Sequence, residues 1–381
     1  MRVVVAIDSF KGSLSSLEAG EAIDTGIHAA DVGAEVVVSP LGDGGEGTVD
    51  AIVAATGGRK CTVRVCGPLG NPVEAAYGIL PGGRAVMEMA AAAGITLMGA
   101  EERDPLAATT YGVGEMIVDA IKNGCRRFLF GIGGSATNDG GVGMLQALGF
   151  SFLDAQGREI PRGARGLASL AEIRTAGALP QLAECEFSVA CDVKNPLCGE
   201  QGCSAIYGPQ KGATPAMVAA MDADLAHYAA LTRAVIPQAD AGYPGAGAAG
   251  GMGFALLAYL GGRLASGIDL VIDATGLEEK IRQADLVMTG EGRLDAQSCM
   301  GKAPVGVARL AKKYGKPVVA LAGCVTAEAV ACNAQGIDAF FPILPAPCTL
   351  TEAMAPENAK SNLARTAEQV YRLATAFAFR K

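Results

Sequence analysis

The sequence predicts an α/β protein with two domains: one assembled from both chain ends around a parallel sheet, the other inserted between them around a mixed sheet. Three observations carry this reading. The first 55 residues alternate strand, helix, strand, helix, an order that implies parallel pairing with covering helices. The same alternation returns after residue 283 and runs to the end. Between these ends the rhythm breaks into short runs separated by Gly-Pro, Asn-Pro and Pro-Gly-Gly turns, then into an irregular stretch. The expected division is therefore 1–72 plus 283–381 for the discontinuous domain and 73–282 for the insert.

The elements follow in order. Residues 2–7 are an unbroken apolar run, as in a parallel strand buried on both faces. Ser15 and Glu18 form a capping-box pattern opening a helix to about His28. Glu35–Val38 reads as the second strand and Glu46–Ala55 as the second helix. Thr62–Val65, Val73–Leu80 and Arg84–Met89 read as short strands in antiparallel or mixed pairing. A helix is expected over Tyr111–Lys122, a buried strand over Arg127–Phe130 and a helix over Val142–Leu148. The irregular region holds a strand at 186–191 and helices at 217–235 and 253–260. Strands at 286–289, 317–322 and 339–341 then alternate with helices at 304–314, 325–334 and 357–379.

Half of the 381 residues are hydrophobic, which supplies a substantial core, and the 52 glycines are clustered as special backbone sites rather than spread as linker. A net charge of −8 without any long basic run argues against nucleic-acid binding. No apolar stretch approaches a membrane span. Eleven cysteines lack a C-x-x-C pair, and with two histidines a zinc site is not expected. An odd cysteine count, and a first strand that ends at Asp8 too early for an export signal, point to the cytoplasm. Two histidines away from any nucleophile also argue against a Ser-His-Asp hydrolase.

The glycine-dense segment 131–141, Gly-Ile-Gly-Gly-Ser-Ala-Thr-Asn-Asp-Gly-Gly, lies between a strand and a helix. Such a turn lets backbone amides crowd an anion and adds the positive end of a helix. Other polar clusters also follow strands, where open α/β sheets gather ligands. Asp8–Ser13 contains Lys11, either an anion-binding point charge or a solvated lysine beside a helix cap. Gly42–Thr48 contains Asp43, either metal-facing or a turn cap. Asp192, with Lys194 and Asn195, is a candidate acid/base group or metal ligand, with a plain Asn-Pro turn as the rival. Lys211 sits in a rigid turn, Gly208–Gly212. Thr289–Ser298 offers Arg293 as an anion clamp and Asp295 as a base, or a structural ion pair. No P-loop motif occurs, and Gly301-Lys302 lacks its spacing. Gly245–Gly250 matches a dinucleotide G-x-G-x-x-G without a preceding strand, so an NAD-dependent oxidoreductase is kept only as a distant alternative. Taken together, backbone cradles, acids and bases at strand ends suit phosphoryl transfer.

In these segments (Asp8–Ser13, Asp43–Gly47, Gly133–Gly141, Pro209–Gly212 and Thr289–Asp295) the chain resembles the type-1 bacterial glycerate kinases, in the same order and from end to end. The resemblance implies ATP-dependent phosphorylation of D-glycerate with Mg²⁺, a Rossmann-like domain from the two termini and an inserted α/β domain. It implies 2-phosphoglycerate as product, with 3-phosphoglycerate the alternative. With glycerate as the substrate, Ser9, Lys11 and Arg293 are expected to bind it. Asp295, or else Asp192, takes the hydroxyl proton, with Lys11 also at the reacting centre. Gly133, Gly134, Ser135, Thr137, Asn138 and Lys211 hold ATP phosphates, and Asp43 or Asp139 lies near the metal. It leaves room for a homodimer.

Overall fold

A computed structural model describes residues 1–42 and 44–378. Two compact units emerge: Met1–Asp43, Asp50–Gly57 and Ile268–Lys381 form the first, Gly44–Val49 and Gly58–Gly267 the second. In chain order the strands are β1 (Arg2–Ile7), β2 (Glu35–Val38), β3 (Arg59–Cys66), β4 (Pro72–Leu80) and β5 (Arg84–Glu88). Next come β6 (Arg127–Gly131), β7 (Ser151–Leu153), β8 (Glu172–Arg174), β9 (Glu186–Ala190) and β10 (Arg263–Ala265). The last three are β11 (Leu286–Leu294), β12 (Val318–Val325) and β13 (Ala339–Pro342).

The first unit is built on a five-stranded sheet in the order β13-β12-β11-β1-β2, parallel throughout. Its centre is β1, in which Val3 to Ile7 are wholly buried, as an apolar run with no alternation requires. Val3, Val5 and Ile7 share a core with Ile23 and Ile27 of the helix Ser16–Ala30 and with Leu363 and Tyr371 of the helix Pro356–Ala378. These two helices approach closely: a Cβ on Gly26 would stand 2.0 Å from the Ala364 carbonyl oxygen, so only glycine fits there. The capping box is present, with Glu18 N donating to Ser15 Oγ and Ser15 N to Glu18 Oε2.

The second unit carries a mixed six-stranded sheet, β10-β9-β6-β5-β4-β3. Its first four strands run parallel, while β4 and β3 close it antiparallel. Phe128 and Phe187 stack at 4.7 Å across β6 and β9. The helix Tyr111–Lys122 packs against β3.

The unit boundaries depart from 1–72 and 73–282. β3 pairs with β4 along its whole length, Arg59 opposite Ile79 through Cys66 opposite Pro72, so it joins the second unit. The helices Gly267–Thr275 and Leu277–Arg282 join the first from Ile268 onward, where Ile268 packs on Gly306 and Lys280 Nζ reaches Ser39 Oγ at 3.3 Å. Pairing partners, rather than the turn composition, set these limits. Among the described residues no helix is long and apolar enough to cross a membrane.

Candidate active site

The polar clusters expected at strand ends fall into two groups, one in each unit. In the first unit, the segments after β1 and within and after β11 line a cavity of about 650 Å³. At the end of β1 the chain turns tightly, with Ser13 N and Leu14 N both donating to the Phe10 carbonyl. Gly12 makes that turn at φ 78°, a conformation glycine adopts without strain. The turn leaves Lys11 exposed on the cavity wall, with Ser9 and the largely buried Asp8 beside it. Gly292 of β11 lies close by; a Cβ there would stand 3.3 Å from Phe10 Cα.

β11 supplies the remaining chemistry. Arg293 Nε stands 3.3 Å from Asp295 Oδ2, with the guanidinium mostly exposed and the carboxylate mostly covered. Asp295 Oδ1 accepts from the Gln297 amide at 2.8 Å and the Ser298 amide at 3.4 Å. Lys302, half-buried, immediately precedes the helix Ala303–Lys313 and adds a third cation to the wall. Lys11, Arg293 and Lys302 thus face Asp8, Glu291 and Asp295 around one space, with Ile343, Leu350 and Met354 as its apolar side. Such a cavity can bind an organic anion by charge and present a carboxylate to a neighbouring hydroxyl.

Ser9, Lys11, Arg293 and Asp295 therefore come together. Asp192 does not line this cavity: it is an exposed residue of the second unit after β9, where its Oδ1 accepts from the Gly267 amide at 3.2 Å. Asp43 lies outside the described residues. Asp8, Glu291 and Ser298 stand inside the polar segments that follow β1 and line β11, but nothing in their type or spacing marks them as site residues, and Lys302, which lacks P-loop spacing, reaches the cavity wall all the same.

In the second unit, the 131–141 loop is divided. Its tip, Gly133 and Gly134, is exposed at the end of β6, with Ser135 half-buried. The rest is packed away. Thr137, Asn138 and Asp139 are wholly buried. The Gly140 amide donates to Gly250 O at 2.9 Å and the Gly141 amide to Asp139 Oδ1 at 3.1 Å. The expected cradle therefore narrows to the tip, and the six-residue helix Val142–Ala147 follows a packed segment rather than a ligand.

Two expected ligands of this loop have structural partners instead. Asp139 Oδ2 accepts from Thr110 N, Thr110 Oγ1, Thr109 Oγ1 and Gly143 N. This carboxylate is wholly buried, with backbone and hydroxyl donors around it; burial also pushes its carboxyl pKa up. Lys211, 1% exposed, donates from Nζ to Ser135 Oγ at 2.8 Å and to Thr137 O at 2.6 Å. It supports the loop from beneath, and burial lowers its pKa to about 8. Asn138 Nδ2 donates to Ser204 Oγ, while Thr137 Oγ1 and Asn138 Oδ1 are buried without a hydrogen-bond partner.

The dinucleotide-like glycines are also consumed by packing. The Gly245 and Gly247 amides donate to Asn195 O, and a Cβ on Gly250 would stand 2.0 Å from Thr137 O. The Gly245 and Gly247 amides are thus taken up within the fold.

Comparison with known proteins identifies the family. Residues 3–375 match the sequence pattern of the glycerate kinase family. The chain is 48% identical over 371 residues to the glycerate 2-kinase of Escherichia coli, covering 97% of each chain. It is 46% identical over 371 residues to the glycerate kinase of Bacillus subtilis, again over 97% of each. A crystal structure described as glycerate kinase 2 from Salmonella typhimurium superimposes with a TM-score of 0.92 at 47% identity, over 99% of both chains.

Proposed function

The chain belongs to the glycerate kinase family, and from that premise we propose that it transfers the γ-phosphoryl group of ATP to the 2-hydroxyl of D-glycerate, giving 2-phosphoglycerate and ADP. The observation that carries the residue roles is the gathering of Lys11, Arg293 and Asp295 on one cavity at the carboxyl ends of β1 and β11. Lys11 and Arg293 hold the glycerate carboxylate, with Ser9 beside them. Arg293 also pairs with Asp295, which is placed to accept a proton. The glycerate hydroxyl oxygen attacks the γ-phosphorus and a new O–P bond forms. The bond to the β,γ-bridging oxygen breaks, its electron pair leaves with ADP, and the hydroxyl proton passes to Asp295. Positioning and charge compensation dominate such a transfer, which needs no covalent nucleophile.

We assign ATP phosphate contacts to the exposed tip Gly133, Gly134 and Ser135, with Lys211 holding the tip in place from below. Among the described residues no three His, Cys, Asp or Glu side chains gather to hold a metal ion. We read magnesium as arriving with ATP, since it is commonly held by phosphates, water and one or two carboxylates. Free thiols at all eleven cysteines suit a cytoplasmic location.

The product is read by a coupled assay. D-glycerate and Mg·ATP are supplied with enolase alone, or with enolase plus phosphoglycerate mutase. A signal with enolase alone is expected. A signal that needs the mutase would assign the 3-phosphate instead, and silence in both would reject the activity.

A further inference from the structure

Asp295 sits in a turn just beyond β11, a place where a side chain has several rotamers open to it unless something fixes both backbone and carboxylate. Three residues on, Ser298 is wholly buried. Its Oγ donates to Glu291 Oε1 at 2.5 Å and accepts from the Asp295 amide at 3.1 Å. The Ser298 amide returns to Asp295, donating to its carbonyl at 3.1 Å and lying 3.4 Å from Oδ1. With the Gln297 amide at 2.8 Å, Oδ1 is held by backbone donors, and Oδ2 is left beside Arg293. Glu291, on the floor of the same cavity, is 8% exposed.

The order of dependence follows from donor counts. A serine hydroxyl has one proton. The short bond to a carboxylate commits that proton to Glu291, and a charge-assisted bond is the stronger kind. The Oγ lone pairs then face the Asp295 amide. Glu291 therefore fixes the Ser298 rotamer, Ser298 fixes the turn, and the turn fixes which oxygen of Asp295 meets the cavity.

We propose that Ser298, oriented by Glu291, is the positioning residue that aims Asp295 Oδ2 at the substrate hydroxyl. This rests on the reading of Asp295 as the proton acceptor, and the test separates the two. Ser298→Ala, Glu291→Gln, Asp295→Asn and the double variant Asp295→Asn/Ser298→Ala are assayed for kcat and for KM toward glycerate and Mg·ATP, with thermal midpoints recorded. Misplacing a reacting group by about 1 Å can cost about 100-fold. The expected result is a fall in kcat of about 10- to 100-fold for Ser298→Ala, with both KM values within about threefold of wild type. A smaller fall is expected for Glu291→Gln, whose amide oxygen still accepts from Ser298 but without charge. Ser298→Ala should add no further loss on top of Asp295→Asn, because there is no base left to aim. Glu291→Gln keeps the shape of the site and carries the test if Ser298→Ala does not fold.

Wild-type kcat in both Ser298→Ala and Glu291→Gln, with Asp295→Asn inactive, overturns the positioning role and leaves the base in place. An additive loss in the double variant overturns it as well, since Ser298 would then act apart from Asp295. Near-normal turnover by Asp295→Asn removes the base itself, and the positioning proposal with it.

Discussion

Replacing Lys211 with methionine separates the strut reading from a ligand reading by a signature in stability against pH. The lysine is buried with pKa about 8, against 10.5 for the unperturbed group, and desolvation is the main cause. Between those values the unfolded chain binds the proton and the folded chain has released it. Stability therefore rises with pH across that window, and below about pH 8 the contribution is flat because both states are protonated. With these two values, the gain between pH 7.5 and 9.5 is about 2 kcal/mol. Methionine has nearly the same length and no charge, so it lacks this gain. At neutral pH the variant leaves Ser135 Oγ and Thr137 O without their donor, a cost of about 1–3 kcal/mol each. It is also relieved of a buried charge, so the two effects offset and the net change stays within about 2 kcal/mol. The assay is urea unfolding followed by circular dichroism for both proteins at about pH 7.5, 8.5 and 9.5. The wild type should gain about 2 kcal/mol on the variant across that range, other titrations cancelling in the difference. Parallel curves would refute the reasoning, because a lysine that titrates like a solvated one cannot be the buried strut described here.

Four further outcomes follow from the site. Asp295→Asn should lower kcat by about 100- to 10,000-fold while Mg·ATP still protects the protein against heat, and retained turnover would remove the base. Lys11→Met should raise KM for glycerate by about 10-fold or more with a smaller effect on KM for ATP, as loss of a charge-assisted contact to the acid alone requires; equal effects on both would count against its placement. Asp139→Asn should lower the thermal midpoint, by loss of a carboxylate that satisfies several buried donors, while the Mg²⁺ concentration giving half-maximal rate stays unchanged; a raised Mg²⁺ requirement would restore it as a metal ligand. Gly250→Ala should destabilise by about 2 kcal/mol or more in urea, since its φ of 67° and its contact with Thr137 O both oppose a side chain; an unchanged midpoint would show that the loop can yield.

Much of the architecture was legible because the signals were local. An unbroken apolar run such as Val3–Ile7 announces a strand buried on both faces, and Ser15 with Glu18 announces a helix start. The edge of the second unit was not legible. Arg59–Cys66 reads as a strand from its own residues, but which sheet it joins is decided by Pro72–Leu80 lying opposite. The site divides the same way. That Lys11, Arg293 and Asp295 would share one cavity was legible because they follow strands, and strand ends in a parallel sheet meet. The burial of Lys211 and Asp139 was not legible, because a charged residue looks the same in sequence whether it faces solvent or lies beneath a loop. Only burial and partners distinguish the two, and both depend on residues such as Thr110 and Ser135 that are distant in the chain. Lys302 shows the opposite error: a motif rule dismissed it, and the position of its helix brought it to the cavity.

The register of β1 with β11, Val3 opposite Leu286, joins residues 283 positions apart. During synthesis from the N-terminal side, β1, whose Val3 to Ile7 are wholly buried in the fold, is thus made long before β11 and must wait for one of its two neighbours until the intervening residues exist. The second unit, whose last segment closes at Gly267, has every strand it needs before β11 is made. The nascent chain therefore holds a finished second unit beside an open β1–β2 edge, a state exposed to wrong pairing. Sequence separation of this size also slows the closing step. Helpers that shield an unpaired hydrophobic strand would act on this interval, and the yield of folded protein should respond to them more than its final stability does.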